Sequence, residues 1–224
     1  LYVAVVYRAG IKIGVLTPDH ILLFIGVYIL LTGVYMLYYP NFTSLTMMIR
    51  DGKLDMYLVK PVAAQFLVTM QRLDLSLLVP DAAAGIVMIG IGWHRAGLPV
   101  TVASIAGFLF FLICGALLTY SLFLLPHLLV FLALLLAVAL VDDQVVAGRP
   151  NGIADLTAAV WDFNNMPQLI YGKWMQRIGT FLLPVFVITN FPGLFLMGEL
   201  SVPMAVWGVA APIVFFLIAR AVWN

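Results

Sequence analysis

The chain of 224 residues is 64% hydrophobic and 9% charged, with a formal net charge of +1. A soluble domain carries about 25% charged residues, so this chain has too few charges to cover a water-facing surface and presents much of that surface to lipid. The same composition excludes a disordered chain, and the near-zero net charge leaves no broad basic surface for a nucleic acid.

A hydrocarbon core roughly 30 Å thick takes about 20 apolar helical residues to cross, so the length allows about five or six crossings joined by short loops. The expectation is an all-α polytopic bundle of about six transmembrane helices in one transmembrane domain, 1–224, with no second soluble domain. Continuous apolar runs, rather than strict alternation with polar residues, argue against a β-barrel.

Residues 1–7, LYVAVVY, read as the last turns of a first, incomplete span, and 8–19 as a loop in which Asp19 caps the helix that follows. Residues 20–39 form the second span, with Tyr35, Tyr38 and Tyr39 gathered at one end where aromatic rings favour the headgroup layer. Residues 41–62 are the most polar stretch; Gly52 breaks its helical run and Pro61 ends the next short one. A third span covers 74–93, followed by the turn HRAGLP at 94–99.

The run 101–141 holds 41 residues without a charge, about 60 Å if wholly helical and so longer than one membrane crossing. Either one long kinked helix projects beyond the bilayer or two short helices meet at Pro126 and His127; the first is the preferred reading. Cys114, alone in that run, has no partner for an internal disulfide and reads as a small buried hydrophobe. Residues 142–152 form an exposed loop, and 153–171 a moderately apolar helix containing Asp155 and Asp162. Residues 178–198 are apolar but interrupted by Pro184, Asn190, Pro192 and Gly193, a pattern tolerated at membrane depth where protein shields the freed backbone groups. The last span is 203–222. Arg50, Lys53, Lys60 and Arg72 all lie between the second and third spans, which places that connection in the cytoplasm; Arg8, Lys12, Lys173 and Arg177 then fall outside.

Residues 50–62, RDGKLDMYLVKPV, combine a basic residue, Gly, Leu-Asp, Tyr-Leu and then basic-Pro-Val. This pattern resembles the type-2 ATP-binding-cassette (ABC-2) permeases, in particular their short six-span branch. The resemblance continues through Gln71-Arg72-Leu73-Asp74-Leu75-Ser76 and returns at Met166-Pro167, Ile170-Tyr171, Leu183-Pro184 and Asn190-Phe191-Pro192. It covers roughly residues 40–95 and 153–198, and departs from the family at Asp142-Asp143, where an aromatic and a basic residue are usual.

The resemblance implies a cytoplasmic coupling helix within 41–62 that docks on a separate nucleotide-binding (ATPase) subunit. Carried over by position, the docking residues are Arg50, Gly52, Lys53, Leu54, Asp55, Tyr57, Lys60 and Pro61. Leu54 and Tyr57 would supply buried contact, while Asp55 and Lys60 would set register. It further implies that 153–171 is the fifth span and 178–198 a re-entrant pair in the outer leaflet, with both termini cytoplasmic; composition alone also allows 178–198 to be the span. The implied protein is the permease of an exporter for an amphipathic drug, lipid or peptide, multi-pass in a bacterial cytoplasmic membrane. A second copy or a homologous permease completes it, membrane lipids surround it, and ATP and Mg are bound by the partner subunits. This chain carries no cofactor of its own, since no GxxxxGK[ST] loop occurs in it.

Asp74 and Asp81 are seven residues apart, as are Asp155 and Asp162, so each pair shares a helix face. An acidic lining for a cationic substrate is one reading; the preferred one is that Asp74 caps a helix at the interface and Asp81 pairs with Arg72 or another basic group. His20, His94 and His127 are too scattered for a metal site, and His127 beside Pro126 is expected to satisfy a backbone carbonyl. Two rival functions remain from the residues. One is an ion-coupled secondary transporter using Asp81 and Asp155 as proton carriers; the other is a membrane-embedded enzyme acting on lipid, for which no catalytic cluster converges.

Overall fold

The computed structural model describes residues 16–51, 53, 55–61, 63–140, 161 and 167–223. Helix α1 spans Pro18–Arg50. Its start is capped by Thr17 rather than Asp19: the Thr17 hydroxyl accepts from the His20 backbone N–H at 3.4 Å, and the His20 Nδ1 accepts from the Thr17 N–H at 3.2 Å. This is a capping box with histidine in the reciprocal position. Asp19 sits in the first turn and pairs instead with Arg95, at 3.2 Å.

No boundary separates the expected span 20–39 from the polar run after it, and the coupling segment expected over 41–62 begins inside α1. Pro40 lies within the helix. The helix continues because Tyr35, Tyr38, Phe42 and Leu45, spaced three and four apart, extend one buried stripe past the polar residues. Two of the three tyrosines expected among headgroups turn into the protein instead, while Tyr39 is half-buried. Tyr35 and Tyr38 are buried, Tyr35 stacks on Trp161 at 4.7 Å between ring centroids, and Tyr38 meets Tyr120 edge-on at 5.6 Å.

Two short helices follow, α2 at Asp55–Leu58 and α3 at Ala64–Thr69, and then α4 at Leu75–Arg95. Asp74 caps α4 as expected, accepting from the Ser76 N–H at 2.9 Å and the Ser76 hydroxyl at 2.5 Å. Gly97, at φ 66°, ends α4 by a left-handed turn in which its N–H reaches the His94 carbonyl at 3.2 Å.

Helices α1 and α4 run antiparallel along a seam of small residues. A Cβ on Gly26 would lie 2.8 Å from the Ile89 nitrogen, one on Gly85 2.8 Å from the Gly26 oxygen, and one on Gly92 2.8 Å from the Leu23 nitrogen. Association inside lipid depends on such close backbone approach, because apolar burial alone gives no preference between helix and lipid.

Helix α5 at Val102–Leu140 is a single helix, as preferred from the charge-free run. His127 Nδ1 lies 2.9 Å from the Phe123 carbonyl oxygen, the carbonyl partner expected of it, and Cys114 is half-buried rather than buried. The first span, the loop 142–152 and most of 153–166 lie outside the described residues, apart from the buried Trp161. The stretch expected to finish a helix at 171 is a 3-10 turn at Gln168–Ile170, set by Pro167.

Next come α6 at Lys173–Arg177, a π turn at Ile178–Leu182, α7 at Val185–Leu196 and α8 at Val202–Trp223. The arms 173–182 and 185–196 meet at 103° across Leu183-Pro184. Every residue of α7 except Phe195 is buried. It packs between α1, α5 and α8, where a Cβ on Gly115 would fall 2.5 Å from the Ile188 oxygen and one on Gly208 2.7 Å from the Phe191 ring. Asn190, inside α7, accepts from the Gln168 N–H at 2.7 Å and so ties the 3-10 turn to the core.

Among the described residues, four helical stretches are long and apolar enough to cross a membrane: Pro18–Phe42, Leu75–Arg95, Val102–His127 and Val202–Trp223. The bent pair makes up to five. The fold is an all-α polytopic bundle.

Candidate functional site

The residues singled out by motif fall on the connection 51–74 between α1 and α4. Arg50 is the last residue of α1 and Asp55 the first of α2; Gly52 and Leu54 lie outside the described residues. A turn closes α1, with the Lys53 N–H on the Met48 carbonyl at 2.9 Å. The Lys53 ammonium pairs with Asp51 at 3.1 Å, but both side chains are exposed, so the pair contributes little.

On α2, Tyr57 is half-buried and turned toward its own chain. Its hydroxyl accepts from Gln71 Nε2 at 2.7 Å, and the Lys60 ammonium stands 4.7 Å from its ring centroid. Met56 on α2 and Val59 in the turn just after it are 62% and 84% exposed. Lys60 and Pro61 are exposed beside them. Met56 and Val59 were not singled out by the motif; their signal is the presence of two large apolar residues beside the anchored Tyr57.

The inner side of the connection is fastened to two long helices. Asn41 of α1 is buried and fully used. Its Nδ2 donates to the Thr69 carbonyl at 2.8 Å and the Arg72 carbonyl at 2.7 Å, and its Oδ1 accepts from the Arg72 N–H at 3.2 Å. Tyr120 of α5 makes the second fastening. Gln65 Nε2 donates to its hydroxyl at 3.1 Å, that hydroxyl meets the Thr69 hydroxyl at 3.1 Å, and Thr69 donates onward to the Gln65 carbonyl at 2.8 Å. The loop of donors closes only if Tyr120 donates to Thr69. Sequence reasoning missed both Asn41 and Tyr120, because their partners lie far along the chain.

Among the described residues Asp81 forms no ion pair with Arg72 or with another basic group; Arg72 is held through its backbone by Asn41. Asp81 is half-buried in the α1–α4 seam, where its Cβ lies 2.9 Å from the position a Cβ on Gly33 would take. Asp155 and Asp162 lie outside the described residues. The hydroxyl and backbone N–H of Ser76 hold the Asp74 carboxyl below its ordinary value. Among the described residues no group of three or more His, Cys, Asp or Glu side chains is gathered as a metal site would require.

The connection therefore exposes Met56, Val59 and Lys60 at and just after α2, while α3 and Arg72 are hydrogen-bonded to α1 and α5. A family model described as an ABC-2 family transporter protein matches residues 1–224. No curated protein and no solved structure matches the chain.

Proposed function

Because this chain belongs to the ABC-2 transporter family, whose members are membrane permease components that pair with ATP-binding subunits, we propose that it is the permease of an ATP-driven exporter. In this reading the connection 51–74 is cytoplasmic and α2 docks on a nucleotide-binding subunit. ATP and Mg bind to that subunit, and a second permease copy or a homologue completes the path. The docking face includes Arg50, Gly52, Lys53, Leu54, Asp55, Lys60 and Pro61 from the motif, with Met56 and Val59 added as its apolar centre. Tyr57 serves it from behind, by fixing α2 to Gln71. The bent pair 173–196 dips into the outer leaflet as a re-entrant element, with its buried arm packed among the spans. The cargo is an amphipathic drug, lipid or peptide.

One observation carries the reading: the connection 51–74 is latched inward to Asn41 and Tyr120 through Gln65, Thr69 and Arg72, and is open outward at Met56 and Val59. A loop with no mechanical duty needs neither feature. Force from ATP hydrolysis must enter a permease through an element that grips a motor on one side and the spans on the other.

The test is co-purification of the ATPase subunit with the membrane protein. Val59→Asp places a charge at the centre of the docking face, and loss of a buried anchor of this size weakens association by about tenfold or more. The expected result is loss of the ATPase subunit with unchanged yield of the permease. Retention of that subunit by both Val59→Asp and Met56→Asp would refute the docking assignment.

A further inference from the structure

A groove of about 320 Å³ lies between α3, α5 and α8, apart from the docking face. Its walls are Phe66 and Met70 on the α3 side, Leu117 on α5 and Phe216 on α8; Tyr120 closes its floor and Arg220 stands at its rim. Arg220 is the one charged residue of the lining, is exposed, and has no ion pair among the described residues. Phe66 and Leu117 are 61% and 37% exposed, so the apolar wall is open along its outer side.

Spacing on α8 decides what suits this groove. Phe216 and Arg220 are four residues apart, so they share a helix face and the Arg220 Cα lies about 6 Å further along the axis. Arg220 is in the last turn of a helix that qualifies as a membrane span, at the level where a long basic side chain reaches the headgroups. A cation one turn beyond an aromatic and aliphatic trough matches a ligand with an anionic head and an apolar tail. A zwitterionic headgroup offsets the attraction with its own cation, and a soluble anion leaves the trough uncovered.

We propose that this groove holds one bilayer phospholipid with an anionic headgroup, its phosphate on Arg220 and an acyl chain along Phe216, Leu117 and Phe66. The lipid is resident: it wedges α3 against α5 and α8 and so stiffens the element fastened by Tyr120. The binding step needs neither ATP nor the partner subunit, so it stands or falls separately from the exporter reading.

The experiment is native mass spectrometry of the full chain after delipidation and exposure to phosphatidylglycerol or phosphatidylcholine with identical acyl chains. One basic residue near a membrane surface favours an anionic lipid by about fivefold, so retention of phosphatidylglycerol should exceed that of phosphatidylcholine by this factor. Arg220→Gln should abolish the preference and Arg220→Lys should restore it, with helix content by circular dichroism unchanged in both. Phe216→Ala should lower retention of both lipids and leave their ratio intact. Equal retention of the two lipids by the unaltered chain, or a ratio unmoved by Arg220→Gln, overturns the site. ATP-driven flipping of phosphatidylglycerol in vesicles, lost in Arg220→Gln, would make the occupant cargo and overturn the resident role.

Discussion

Two proline-broken stretches, the connection 51–74 and the arm 185–196 of the bent pair, read alike as interruptions in an apolar chain, yet they are built in opposite ways. In the bent pair, α7 is sunk in the bundle, and its backbone meets α5 at Gly115 and its Phe191 ring meets α8 at Gly208 with no space for a side chain between. The connection is held by a few directed hydrogen bonds from Asn41, Tyr120 and Gln71, and leaves its large apolar residues Met56, Val59 and Phe66 exposed. Close packing fixes an element rigidly and tolerates no change of volume. Polar latches fix an element in register while leaving its outer face free to be gripped. Under the proposed docking role, this difference makes α7 part of the architecture and the connection the part that communicates.

The sharpest way to break that distinction is to alter volume in the first region. Gly115→Ala forces a methyl onto the Ile188 carbonyl, and overpacking of this kind costs about 1–3 kcal/mol. Gly90→Ala is the control: nothing lies within 4 Å of its Cβ position, and alanine gains roughly 1 kcal/mol of helix propensity over glycine. Thermal unfolding in detergent should show the first variant lowered and the second unchanged or raised. Equal effects would mean that α5 and α7 are not close-packed.

Cutting a latch comes next. Asn41→Ala removes the partner of two carbonyls and one N–H in a buried position, at about 2 kcal/mol. The distinction predicts a disproportionate loss of function: ATP hydrolysis by the assembled complex should continue while transport falls. Tyr120→Phe breaks the second latch with a smaller stability cost, about 1 kcal/mol, and the same uncoupling. If either variant lowers hydrolysis and transport in proportion, the latches are structural and carry no force.

Much of the architecture was legible because hydropathy and proline act locally. The spans expected at 74–93 and 203–222 appear as Leu75–Arg95 and Val202–Trp223, the charge-free run is one helix, and the chain breaks at Leu183-Pro184. Three features were hidden, each for a physical reason. Tyrosines at the end of an apolar run look the same whether they face headgroups or a neighbouring Trp161, and only the partner decides. The polar run after Pro40 masked a buried stripe that keeps α1 helical. Asn41 and Tyr120 join Thr69, Arg72 and Gln65 across long sequence separations, which local patterns cannot register. Of the candidate site, the motif located the connection, but neither the exposed Met56 and Val59 nor the anchors Asn41 and Tyr120 could be read from it.

The smallest effect tests whether the far edge of the connection is also held by a directed bond. Asp74 is exposed, and its carboxyl is depressed first by the Ser76 hydroxyl and then by the Ser76 N–H. A group whose folded value lies below its unfolded one contributes stability that is fully present above the unfolded value, about 3.9 for aspartate. That contribution fades as pH falls through the lower folded value. The cap is therefore intact at neutral pH, and its loss begins only under acid conditions. Carboxyl carbon NMR of the chain in detergent should place Asp74 below an ordinary aspartate, and Ser76→Ala should move it upward with little change in thermal stability at pH 7. An Asp74 signal that titrates at the ordinary value in the unaltered chain would mean that α4 starts without this cap, leaving Asn41 to hold the end of the connection alone.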